Sequence, residues 1–153
     1  MREESPQISA DGRRYKHSEL TEKIIGIFYD VYNELGFGFL ESVYEAAMAL
    51  ALSEQGIAFE RQVPIPVYFH GQKIGAYDAD LLVDGRVLLE LKACKALEPA
   101  HEAQLLHYLR STSVEIGLLL NFGPRPHVRR LAFENERKQI SVDLRKSAAK
   151  GFS

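Results

Sequence analysis

Apolar side chains recur at Ile24, Ile27, Phe28, Val31 and Leu35, the spacing of one face of an amphipathic helix. Ser18 or Thr21 is placed to cap its start, and Gly36-Phe37-Gly38 breaks the chain after it. A second helix is predicted from about Leu40 to Gln55, with Gly56 as its stop. The period then changes. Residues 58–69 alternate as a strand does, and Pro64 and Pro66 within them argue for an edge or bulged strand, because proline has no N–H to give to a ladder. Gly71 marks a turn. Residues 73–83 and 86–94 read as two more strands. Pro99 suits the first turn of a third helix, which runs to about Ser111. Val114 to Asn121 is an apolar strand, Gly123-Pro124-Arg125-Pro126 a loop, and Val128 to Glu134 a further strand candidate. The order α-α-β-β-β-α-β-(β) predicts an α/β fold, a central mixed β-sheet with helices on both faces. Residues 1–17 read as a flexible N-terminal segment, 18–144 as a single domain and 145–153 as a short basic tail.

Three charges interrupt this pattern. Asp84-Gly85 is a hairpin signal between two apolar runs. The second run, Leu88-Leu89-Glu90-Leu91-Lys92, reads as a strand buried on both faces except at Glu90 and Lys92. Those two share a face, roughly 7 Å apart along the strand. Buried charge is costly unless paired or bound to a metal. Asp80, Glu90 and Lys92 therefore suggest a divalent-cation site with a cationic helper. The competing reading is a wet sheet face carrying cross-strand ion pairs, but Ala79, Leu81, Leu82, Val83 and Val87 leave little polar surface for one. Register sharpens the test. A two-residue turn pairs Val83 with Arg86 and sends Asp80 and Glu90 to opposite faces. A three-residue connection, with Gly85 left-handed in a bulge, pairs Val83 with Val87 and sets Asp80 opposite Glu90.

Composition narrows the class. A chain of 153 residues with 46% hydrophobic and 26% charged residues fits one domain with one core. A net charge of −2 counts against a nonspecific nucleic-acid coater, although a local basic groove remains open to it. The lone Cys94 excludes an intramolecular disulfide and a cysteine-built zinc site; a buried structural thiol is expected. There is no 18-residue apolar run and no apolar signal-peptide core near Met1. A cytoplasmic protein with no membrane partner is expected.

Asp80 on one strand and Glu90-Leu91-Lys92 on the next resemble the PD-(D/E)XK nuclease superfamily, with Ala79 standing where the motif's proline would be. Gly38-Phe39-Leu40-Glu41-Ser42-Val43-Tyr44-Glu45 resembles the signature of the GxxExxY proteins within it. The likeness runs from about Ile24 to about Phe133 and implies a restriction-endonuclease-like core. It implies a metal-dependent nuclease hydrolysing nucleic-acid phosphodiester bonds. Asp80, Glu90, the Leu91 backbone carbonyl and Glu41 (directly or through water) would hold Mg²⁺, with Mn²⁺ as a substitute, and Lys92 would assist the chemistry. Glu45 is a weaker candidate, and Tyr44 reads as a packing residue. Gln104 and Tyr108 share one face of the third helix and match a Q-x-x-x-Y motif of exonuclease-like branches, where they support the site or contact substrate. His101 on the same face reads as a surface residue. Lys95, Arg110, Arg125, Arg129 and Arg130 are candidate phosphate contacts. The implied partner is a nucleic acid, DNA ahead of RNA, and a homo-oligomer is compatible. The alternative is a noncatalytic nucleic-acid-binding or regulatory interaction module that retains the fold.

Overall fold

The computed structural model describes residues 17–138. The expectations for residues 1–16 and 145–153 lie outside the described residues. Helix α1 (Ser18–Leu35) buries Ile24, Ile27, Phe28 and Val31, the stripe anticipated from spacing. Neither Ser18 nor Thr21 caps it. His17 holds the N-cap position in a left-handed conformation with no side-chain cap, and the Thr21 hydroxyl donates to the Ser18 carbonyl at 3.1 Å. Gly36, at φ 69°, ends the helix as expected. Helix α2 (Glu41–Glu54) buries Tyr44, Met48 and Leu52 beside it.

Strands β1 (Phe59–Phe69), β2 (Gln72–Val83) and β3 (Val87–Lys92) follow, then α3 (Pro99–Arg110), β4 (Ile116–Phe122) and β5 (Pro126–Ala132). The order is the expected one. The last strand begins at Pro126, inside the segment read as loop, because Pro126 already pairs with Phe122. The five strands lie side by side in chain order. Only β3 and β4 are parallel, which makes the sheet mixed. A parallel pair needs a crossover, and α3 supplies it. Strand β1 is an edge, so Pro64 and Pro66 cost it no outer ladder, and the register slips between Val67 and Tyr68.

Helices cover both faces. On one, α1 and α2 pack on Leu81, Val83, Leu89, Leu91, Leu118 and Leu120. On the other, α3 brings Leu105, Tyr108 and Leu109 onto Leu88 and Leu119. The approach is close: a Cβ on Gly117 of β4 would lie 2.8 Å from the Leu105 side chain. Among the described residues no helix is long and apolar enough to cross a membrane.

Strand β2 pairs with β3 only from Leu81 to Val83. From Ala79 back to Gln72 it pairs with β1 alone, so β1 and β2 continue beyond the five-stranded sheet as a two-stranded arm. The arm also changes faces. Leu81 packs under α1 and α2, whereas Ala79, Val63 and Ile65 pack under α3. Residues two apart in a regular strand share a face. The strands therefore swivel between 79 and 81 and between 61 and 63.

Candidate active site

The connection from β2 to β3 decides whether Asp80 and Glu90 meet. Val83 pairs with Val87 across Asp84, Gly85 and Arg86. The Arg86 N–H donates to the Val83 carbonyl at 2.9 Å. Both Asp84 (φ 51°) and Gly85 (φ 65°) are left-handed, where glycine alone was expected to be. Aspartate tolerates that region better than most side chains, and its carboxylate pairs with Arg86 at 2.6 Å. The extra residue keeps the register in which Asp80 falls one step beyond Leu81↔Leu89, opposite Glu90.

At that step the backbone ladder stops and side chains replace it. The Leu91 N–H donates to Asp80 Oδ2 at 2.8 Å, and the Asp80 N–H donates to Glu90 Oε1 at 3.1 Å. Each carboxylate thus closes a gap between β2 and β3. Glu90 is 6% exposed, and Asp80 is half-buried. Burial, then the neighbouring Asp80 charge, pushes Glu90 up to about 8, against the Asp80 N–H and Lys92, which favour its anion. Asp80 is also raised, by burial first and then by Glu45 and Glu41; the Leu91 N–H and Lys92 oppose this. Lys92, itself half-buried, follows Glu90 by two residues at the end of β3.

The helix start contributes differently from what its sequence suggests. Glu41 is exposed, and Glu45 one turn later is buried. Glu45 accepts from Arg61 Nη2 at 2.7 Å and Nε at 3.1 Å, and from the Gln62 amide. Tyr44 packs as expected. It stacks on Phe122 at 4.1 Å, and its hydroxyl donates to the Gly36 carbonyl at 2.7 Å. Among the described residues no group of three His, Cys, Asp or Glu side chains is drawn close enough to hold one ion.

On α3, Tyr108 is buried beside this pair. Burial first, then the Glu90 charge, pushes its phenol up to about 12. The Gln104 amide donates to the Tyr108 hydroxyl at 2.9 Å. Tyr77, from the arm, packs against Tyr108 at 5.6 Å between ring centroids. His101 closes a capping box with Glu98. Lys95 and Arg125 are exposed, and Arg130 is half-buried. Arg129 pairs with Glu102 at 3.0 Å, and Arg110 lies over the Phe133 ring.

Two features escaped sequence reasoning. Asn121, buried at the end of the apolar β4 run, clasps the Cys94 backbone, accepting from its N–H at 3.1 Å and donating to its carbonyl at 3.0 Å. A lone amide closing an apolar strand was the available signal. Cys94 itself is only half-buried. Glu45 was singled out only as a weaker carboxylate candidate, and its partners Arg61 and Gln62 gave no signal, because they look like ordinary surface polarity. A hollow lined by His17, Lys23, Ile57, Asp84 and Arg86 sits at the opposite end of β3 and includes neither Asp80 nor Glu90.

A sequence profile described as the PD-(D/E)XK nuclease superfamily matches residues 18–131. No curated protein matches the chain. Among solved structures, the crystal structure of SSO0001 is similar at 16% identity, covering 84% of this chain and 64% of its own, with a TM-score of 0.47. This chain therefore spans about 64% of that protein's length. The alkaline exonuclease LHK-Exo from Laribacter hongkongensis is similar at 11% identity, covering 90% of this chain and 82% of its own, with a TM-score of 0.46.

Proposed function

Given that this chain belongs to the PD-(D/E)XK nuclease superfamily and has its restriction-endonuclease-like α/β core, we propose that it is a divalent-metal-dependent nuclease. Its site would be centred on Asp80, Glu90 and Lys92. The observation that carries this reading is the Asp80–Glu90 pair. Two carboxylates face each other where the β2–β3 ladder ends, and one is pushed up to about 8. Ionising both carboxylates so close together and out of water is costly, and a bound cation would offset that cost.

The donor set fits a hard dication. Both groups offer carboxylate oxygens, and Glu41 and Glu45 add further negative charge nearby. Mg²⁺ accepts one or two carboxylates and completes its shell with water and phosphate oxygens, so a third protein carboxylate in contact is not required. Asp80, Glu90 and the Leu91 carbonyl would hold it, with Glu41 acting through water; Mn²⁺ would substitute. When bound, such an ion lowers the pKa of a coordinated water and offsets charge on the phosphoryl group.

The protein's own groups supply the rest. Lys92, on the Glu90 face, would orient the attacking water or offset developing negative charge. Tyr108 and Gln104 would support Glu90 from α3. Lys95 and Arg125 would contact the nucleic-acid backbone, and DNA is favoured over RNA. Gly38, Glu41 and Tyr44 support a place among the GxxExxY proteins. One observation favours a noncatalytic nucleic-acid-binding module instead: Glu41 is exposed.

The test is a panel of labelled single- and double-stranded DNA and RNA incubated with Mg²⁺ or Mn²⁺. Cleavage that Asp80→Asn and Glu90→Gln each abolish is expected. Binding without cleavage, indifferent to those substitutions, would select the noncatalytic reading.

A further inference from the structure

Consecutive side chains in a strand point to opposite faces. Arg61 and Gln62 break that rule, since both reach the carboxylate of Glu45 on α2. The cause lies in the backbone. Gln62 sits at φ 52°, left-handed within a strand, where a side chain with a Cβ is disfavoured. The consequence lies on either side of it. Arg61 goes to the α2 face, while Val63 joins the core under α3. The pairing with β2 skips the same place, passing from Arg61↔Leu81 to Val63↔Ala79. The residue that falls opposite Gln62 is Asp80. Beyond it Ala79 lies under α3, and Leu81 before it lies under α1 and α2.

We propose that Glu45 is a positioning residue: by gripping Arg61 and Gln62 it holds a left-handed pivot at Gln62 that turns the β1–β2 arm and sets Asp80 across from Glu90. Glu45 is 8% exposed, and its carboxylate accepts three hydrogen bonds from these two neighbours. The grip outweighs the cost of the disfavoured φ, which glycine would not incur. With the pivot in place, β2 leaves β3 at Asp80 instead of continuing the ladder, and the vacated Leu91 N–H donates to the Asp80 carboxylate. The same swivel carries Tyr77 to Tyr108, beside Glu90. The consequence for cleavage rests on the nuclease reading above; the consequence for backbone geometry does not.

The experiment compares Gln62→Gly, Gln62→Val and Glu45→Gln in the full chain, read two ways. Amide spectra of the metal-free protein report the Asp80 and Leu91 N–H groups. Steady-state cleavage of a labelled oligonucleotide with Mn²⁺ reports the site. Gln62→Val and Glu45→Gln are expected to move both amide resonances and lower kcat roughly tenfold or more with KM little changed. Gln62→Gly keeps the pivot and should stay close to wild type in both. If Gln62→Val does not fold, Glu45→Gln and the double variant Glu45→Gln/Gln62→Gly decide, with glycine restoring the amide positions. Val and Gly variants that behave alike, or a Glu45→Gln protein with unmoved amides, would overturn the pivot. Amides that respond in a protein that cleaves nothing would uphold the pivot and overturn the nuclease reading.

Discussion

At the scale of single residues, Glu90 carries the most consequential charge. Its pKa of about 8 in the folded protein lies above the 4.5 of an ordinary glutamate. A raised carboxyl pKa gives stability that is complete below the ordinary value and lost as pH rises through the folded one. In metal-free protein, stability should therefore fall between about pH 5 and pH 8 by several kcal/mol, at about 1.4 kcal/mol per unit, with Asp80 sharing the effect. Glu90→Gln should lack this slope, so thermal denaturation should show the variant gaining on wild type as pH rises. Parallel curves would overturn the raised Glu90 pKa, and with it the account from burial and the Asp80 charge. Mn²⁺ should erase the variant's advantage. Lys92 belongs at this scale too. Protonated lysine has no lone pair for a metal, so Lys92→Ala should bind Mn²⁺ in calorimetry nearly as wild type does and lose most cleavage. Normal cleavage by that variant would make Lys92 structural.

At the scale of elements, two joints place the site. The first is the end of the parallel pair, where Asn121 clasps Cys94 and Gly123 passes underneath. A Cβ on Gly123 would lie 2.1 Å from the Cys94 carbonyl, an impossible contact. Gly123→Ala must push β3 and β4 apart just beyond Lys92. Asn121→Leu leaves the Cys94 groups unpaired, at a cost of about 1–3 kcal/mol. Chemical denaturation should show Gly123→Ala destabilised more than Asn121→Leu; the reverse order would mean that the loop gives way easily. The second joint is α3 over Glu90. Tyr108→Phe removes the hydroxyl that Gln104 meets while keeping the ring, so the fold should survive and cleavage should slow. Unchanged kinetics would assign Tyr108 to packing alone.

At the scale of the whole molecule, the charge is balanced. The net charge is −2, and Arg129 and Arg110 are engaged with Glu102 and Phe133. Lys95 and Arg125 remain exposed near the ends of β3 and β4. Nucleic-acid binding should weaken with salt, because phosphate contacts release counterions, but with a shallow slope of roughly two to four phosphates. Fluorescence anisotropy across a salt series reads this directly. A slope far steeper would reveal a basic surface beyond these residues, and a flat one would argue against phosphate contacts altogether.

The chain by itself determined the elements and their order. The helical stripe of α1, the prolines of an edge strand and the Asp-Gly turn are local patterns with local causes. It also marked Asp80, Glu90 and Lys92, because charge inside an apolar run stands out without any structure. Two things were beyond it. Glu41 and Glu45 sit one turn apart on the same helix, and only the packing of α2 against β1 buries the second and exposes the first. The left-handed Gln62 is neither glycine nor part of a turn signal, so no local rule flags it; long-range pairing and the Glu45 grip hold it there. Burial and strand swivel depend on contacts between distant segments, and the tertiary structure alone decides those.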